Sequence, residues 1–175
     1  MKIYLVRHGQ SGPNMQNVYN LKTSDINVVG IKQAEELKEL IKDINYDVVI
    51  SSPLVRAKHT AQIINDNRKE ILFDDRLKER DGGDLEGKSK TLVDREDYWN
   101  YYSTTNYGNE ERIPHLFERV ANFIDELKNK DYDNVLIVAH SGVYKAFYAY
   151  FNGIPGDGKF LNIIIKNCEI KEYEL

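Results

Sequence analysis

The sequence predicts a three-layer αβα sandwich, a mainly parallel sheet with helices on both faces. Three observations carry this expectation. Short, continuously apolar runs recur as "KIYLV", "DVVIS" and "NVLIVAH". Such runs suit strands covered on both faces. Amphipathic helical stretches separate them, and strands alternating with helices fold into parallel sheets. The composition, with 41% hydrophobic and 30% charged residues in 175, is that of a globular chain of one domain's size.

The elements follow in order. After "KIYLV", the segment from Asn27 places Ile31, Ala34, Leu37, Ile41 and Ile44 on one helical face, with Asn27 as N-cap. "DVVIS" at 47–51 leads into "SSPLVRAKHTAQII", where Ser52 is read as the cap and Pro53 as the first helical residue, so Arg56 falls in the first turn. A further helix begins near Pro114 and aligns Phe117, Val120, Ile124 and Leu127. "NVLIVAH" at 134–140 is followed by the helix "SGVYKAFYAYFNG", which ends at Gly153 as a left-handed C-terminal glycine. The tail from Lys159 reads as two more strands paired at the sheet edge. Residues 88–112 break the rhythm and read as a short insertion lying over one edge of a single domain spanning 1–175.

The bulk properties narrow the functions. A formal net charge of -4 argues against nucleic acid as a partner but leaves small anions open, because basic groups can cluster locally. One cysteine, Cys168, excludes an internal disulfide and is expected to pack as a small hydrophobe. No run is long enough for a membrane span or signal peptide, so the cytoplasm is the expected location.

Parallel sheets bind ligands beyond the carboxyl ends of their strands. Arg7 and His8 end the first strand, Ser51 and Arg56 follow the second, and His140 ends the third. Two arginines and two histidines converging there would make a pocket for a compact dianion such as phosphate. Guanidinium forks match phosphate oxygens, and helix N-termini add free amides. In "HGQSGPN", Gly9, Ser11 and Gly12 allow close approach of backbone amides. Imidazole is a competent nucleophile toward phosphorus, and His8 is the better placed of the two. A proton donor for the leaving alcohol would come from "LKERDGGDLEGK", which offers Glu79, Asp81, Asp84 and Glu86.

Four ordered motifs, "LVRHGQSGPN", "SSPLVRAKHTA", "LKERDGGDLEG" and "VAHSG", make the chain resemble the histidine phosphatase superfamily. This group includes cofactor-dependent phosphoglycerate mutases and many small phosphatases. The resemblance runs from residue 1 to about residue 155. It implies a phosphoglycerate mutase-like fold, with His8 as the phosphorylated nucleophile. Arg7, Arg56 and His140 would hold the phosphoryl oxygens, with Ser141 beside them at the helix start. Asn14 matches the asparagine that closes the loop over the phosphate, and Glu79 the acid that protonates the leaving group. No metal or cofactor is implied, and His8, His59, His115 and His140 lack metal-like spacing. Two departures stand out: Gly82 replaces an aromatic before the glycine of the carboxylate loop, and "TSDINVVG" is shorter than usual.

The expected activity is hydrolysis of a small phosphate monoester. The alternatives are a phosphoglycerate mutase and a catalytically silent phosphate-binding module. The insert is shorter than in mutases and mostly aromatic and acidic, with only Lys88, Lys90, Arg95 and Arg112 as bases. Its rings, Tyr98, Trp99, Tyr101, Tyr102 and Tyr107, are expected to pack it onto the body or to form an aromatic wall for substrate. His59 and His115 are read as surface or packing residues. The oligomeric state is not legible.

Overall fold

A computed structural model describes all 175 residues. Five strands, β1 (Lys2–Arg7), β2 (Val48–Ser51), β3 (Ile71–Phe73), β4 (Asn134–Ala139) and β5 (Ile170–Glu174), form one sheet in the order β3-β2-β4-β1-β5. All neighbours are parallel except β5, which runs antiparallel along β1. The α/β sandwich is therefore as expected. No helix is long and apolar enough to cross a membrane.

Strand alternation builds two cores. Ile3 and Leu5 of β1 and Val135 and Ile137 of β4 face α5 (Ile113–Leu127) and α6 (Ser141–Asn152), where Phe117, Val120, Ile124 and Phe147 are buried. Tyr4, Val6, Leu136 and Val138 face the other way, onto α2 (Val28–Leu40) and α3 (Val55–Asn65). Side chains of period two thus serve both layers of helices. Two further helices are short: α1 (Gly12–Met15) lies just beyond β1, and α4 (Arg95–Tyr98) lies within the insert.

Several local expectations need correction. α2 ends at Leu40 and Ile31 is 38% exposed; Gly30, Ala34 and Leu37 form its buried stripe. The helix needs a small residue there because its first turn packs directly on backbone, as described below. α3 starts at Val55 with Leu54 as an N-cap that lacks a side-chain bond, so Pro53 precedes the helix and Ser52 lies two residues before the cap, its Oγ accepting from Leu54 N (3.3 Å). Gly153 has positive φ (83°) but extended ψ (169°), a turn out of the helix rather than a left-handed cap. The tail contributes one strand, not two: residues 159–163 bond to the insert and α6, and residues 165–168 hold the end of β1. β3 is only three residues, its residues partly or largely exposed, and no run of alternation announces it.

Candidate active site

β1 delivers His8 to the carboxyl edge of the sheet, and the chain then turns at Gly9. There it meets the first turn of α2 at backbone contact. A Cβ on Gly9 would lie 2.5 Å from the Gly30 carbonyl oxygen, and one on Gly30 only 2.2 Å from that of Gln10. Both positions therefore demand glycine. The turn is pinned further by bonds from Asn27 N to Gln10 O (2.8 Å) and from Gln10 N to Gln33 Oε1 (2.9 Å). Thr60 of α3 links it to Arg56, accepting from Gly9 N (3.0 Å) and donating to Arg56 O (2.7 Å).

His8 is buried, and its Nδ1 lies 2.7 Å from the Gly9 carbonyl. A carbonyl only accepts, so in the neutral ring Nδ1 carries the hydrogen and the lone pair sits on Nε2. His140, the N-cap of α6, packs beside it with ring centroids 5.1 Å apart, and its Nε2 meets Ser52 Oγ at 2.8 Å. Burial first, then the nearby guanidinium charges of Arg56 and Arg7, hold the His8 pKa well below the ordinary histidine value. His140 is held low by the same burial and by Arg56, with smaller contributions from His8 and Arg7.

Arg7 donates through Nη1 to Ile165 O (2.8 Å) and Arg56 through Nη1 to Leu21 O (3.1 Å). Burial is the larger influence on both, and the carboxylate of Glu79 partly offsets it. Only three buried side-chain nitrogen or oxygen atoms in the whole chain lack a hydrogen-bond partner: Nε of Arg7, Nε of Arg56 and Nδ1 of His140. Each such atom costs about 1–3 kcal/mol. All three fall in the cluster that the sequence marks for a dianion.

The two arginines open, with His8, onto a cavity of about 950 Å³. Arg7, His8, Arg56, Asn14, Glu79 and Ser141 all line it, whereas His140 lies behind His8, outside the wall. Asn14 sits in α1, where Ser11 and Asn14 form a reciprocal capping box. Its Oδ1 is engaged by Ser11 N at 3.4 Å, leaving its Nδ2 as the group that can serve a ligand. Glu79 Oε1 accepts from Gly142 N and Arg80 N, both 2.9 Å, so Oε2 is the oxygen left to exchange a proton. A Cβ on Gly142 would approach Glu79 Oε1 to 2.2 Å.

The insert 88–112 supplies cavity wall as well as packing. Tyr98 is buried and stands edge-on to Trp99 at 5.5 Å, and both rings line the cavity, while Tyr102 is 60% exposed. His59 pairs with Asp25 at the surface, and His115 with Glu111 on an exposed part of the rim. Cys168 packs under α2 and α3, and burial pushes its thiol up to about 12. Sequence reasoning missed Thr60, Gly142 and Lys145. Lys145 left a signal, as the lone charge in the otherwise apolar and aromatic "VYKAFYAYF". It is buried and lines the cavity four residues after Ser141, one helical turn on.

A sandwich of this order with two arginines and two histidines at its carboxyl edge defines a phosphoryl-transfer class. A model of the histidine phosphatase superfamily (branch 1) matches residues 3–175. The chain belongs to that superfamily and is an enzyme of the phosphoric monoester hydrolase class. It is 35% identical over 179 residues to the uncharacterized phosphatase PhoE of Bacillus subtilis, covering 97% of this chain and 89% of that one. It is 31% identical over 183 residues to a metal-independent phosphoserine phosphatase of Arabidopsis thaliana, covering 98% of this chain and 77% of that one. Among solved structures, Bacillus stearothermophilus YhfR superposes with a TM-score of 0.86 at 22% identity, covering 99% of this chain and 91% of that one. That likeness bears on the fold.

Proposed function

We propose that this chain hydrolyses a small phosphorylated metabolite, a phosphate monoester, through a phosphohistidine on Nε2 of His8. The observation that carries the reading is the set of unpartnered nitrogens on Arg7, Arg56 and His140, grouped around a neutral imidazole whose other nitrogen is already occupied. In the first step the Nε2 lone pair attacks phosphorus and the ester P–O bond breaks. Glu79 gives its proton to the departing alcohol. In the second, Glu79 takes a proton from water, the water oxygen bonds to phosphorus, and the P–N bond breaks to release inorganic phosphate. Arg7 and Arg56 balance the phosphoryl charge throughout, with Asn14 and the start of α6 at Ser141 as additional donors. The steps need no metal, because the guanidinium pair supplies the positive charge.

Phosphate release from 4-nitrophenyl phosphate tests the activity. Rapid quenching into alkali, where phosphohistidine survives, followed by mass spectrometry tests the intermediate. His8→Ala is expected to remove the adduct and at least about 10⁴-fold of turnover. Glu79→Gln is expected to lose about 10²- to 10⁴-fold, most with poor leaving groups. Equal loss for good and poor leaving groups would take the acid role from Glu79. Interconversion of phosphoglycerates faster than hydrolysis would replace the phosphatase reading with the mutase one, and absence of both activities would leave a silent module.

A further inference from the structure

The proposed proton donor stands on irregular backbone: residues 78–82 belong to no helix or strand. A stretch without a ladder of backbone bonds opens easily, and a displacement of about 1 Å can cost a reaction about 10²-fold. One ion pair outside the phosphate site grips this stretch. Arg119, in the middle of α5, forks onto Glu111, Nε to Oε1 at 2.7 Å and Nη2 to Oε2 at 2.8 Å. The two side chains are 16% and 9% exposed, so the pair is largely withdrawn from water.

What the pair does not spend on itself goes to the backbone on either side of Glu79. Arg119 Nη2 donates to Glu79 O (3.2 Å) and Nη1 to Arg76 O (2.5 Å). Glu111 takes the residues that follow. Its N donates to Asp81 O (2.9 Å), its Oε2 accepts from Asp81 N (3.2 Å), and its O accepts from Arg80 Nε (2.6 Å). Both residues reach the cavity wall, yet four of the five guanidinium hydrogens are already engaged. From the held segment the Glu79 side chain extends to α6. There Gly142 N, a donor of the first helical turn with no partner inside the helix, meets Oε1 at 2.9 Å.

We infer that Arg119 is a positioning residue for proton transfer: paired with Glu111, it fixes the backbone of Glu79 so that Oε2 is held toward the leaving oxygen. A lysine would keep the charge and lose the hold, because an ammonium is one point with three protons, whereas the planar fork serves four acceptors at once. The inference rests on the reading of Glu79 as the acid of the first step.

Because kcat/KM reports that step, the test compares an alkyl ester, glycerol 3-phosphate, with 4-nitrophenyl phosphate, whose leaving group departs without a proton. Arg119→Lys is expected to lower kcat/KM at least about tenfold for the alkyl ester and less than about threefold for the aryl one. Introduced into Glu79→Gln, it is expected to cost the alkyl ester less than about twofold more, since the group it positions is gone. Equal losses for the two esters, a full further loss in the Glu79→Gln background, or unchanged kinetics would each overturn the inference. The first two would mean that Arg119 binds substrate or only supports the fold. Should Arg119→Lys fail to fold, Glu111→Gln combined with Arg119→Met removes both charges together and is read the same way. Amide hydrogen exchange in the ligand-free protein separates this inference from the reaction. Arg119→Lys is expected to speed exchange at Gly142 N at least about tenfold while leaving Ile137 N of β4 unchanged. That result in a protein without phosphatase activity would keep the clamp and sink the phosphatase reading, whereas an unmoved Gly142 amide would sink the clamp.

Discussion

The bond from His8 Nδ1 to the carbonyl of its own neighbour Gly9 decides which nitrogen can react. It costs the chain no distant partner, which is why a strand end followed by a glycine turn suffices to aim the ring. Burying two imidazoles beside two guanidinium groups has a thermodynamic signature. Their native pKa values lie below those of the unfolded chain, so on acidification the unfolded chain takes up protons that the native state refuses. Stability is therefore expected to fall as pH drops below about 6.5. Carboxylates such as Asp47, held low by the amides of Asn134 and Asp133, add their own loss only at more acidic pH. Thermal unfolding of the ligand-free protein between pH 7.5 and 5.5 checks this, and His8→Gln, which cannot titrate there, should shallow the decline. A midpoint that rose on acidification would contradict the burial argument. Arg7, His8, Arg56 and His140 were legible because each sits at a junction that periodicity locates. Lys145 was not, because its surroundings come from residues 99 and 160–163, brought in by tertiary packing.

At the scale of elements, two helix starts fix the site by touching it with bare backbone. The first turn of α2 abuts the His8 turn at Gly30, and the first turn of α6 abuts Glu79 at Gly142. Gly142→Ala would push a methyl group to 2.2 Å from Glu79 Oε1 and 3.2 Å from Trp99. The carboxylate side chain can swing away, so this variant is expected to fold yet lose turnover about as severely as Glu79→Gln, about 10²-fold or more. Circular dichroism and leaving-group dependence measured on one preparation would show it. Unchanged kinetics would mean that Glu79 acts from another position. Gly30 stands in the sequence at the end of "TSDINVVG", but the reason for it, the Gln10 carbonyl oxygen in the way of any side chain, appears only when two segments meet. The same holds for β3 and the single tail strand: a three-residue edge strand and a tail that clasps β1 carry too little pattern to be read without their partners.

For the molecule as a whole, the strand order places β1 between β4 and β5, so the strand bearing Arg7 is held from both sides. The C-terminal segment does more than pair. Cys168 N donates to Arg7 O (2.9 Å), Asn167 Nδ2 to His8 O (2.8 Å), and Ile165 O accepts from the Arg7 guanidinium. Tyr173 anchors it by stacking on Phe151 at 4.6 Å and leaning on Phe147 at 5.5 Å. Tyr173→Ala is expected to cost about 1–3 kcal/mol in urea unfolding, from lost burial and ring contacts. A loss under about 0.5 kcal/mol, the usual range of an ordinary surface change, would show that the tail rests on backbone pairing alone.

The first and last residues are also bonded to each other, Met1 N to Leu175 O at 3.0 Å and Leu175 N to Met1 O at 2.9 Å. They meet at the amino end of β1, whereas the cavity opens beyond its carboxyl end. Any polypeptide fused at either terminus would hang from the pole remote from the mouth. Tethered to a bead or a carrier protein by that pole, the molecule would still present its opening to the surrounding solution.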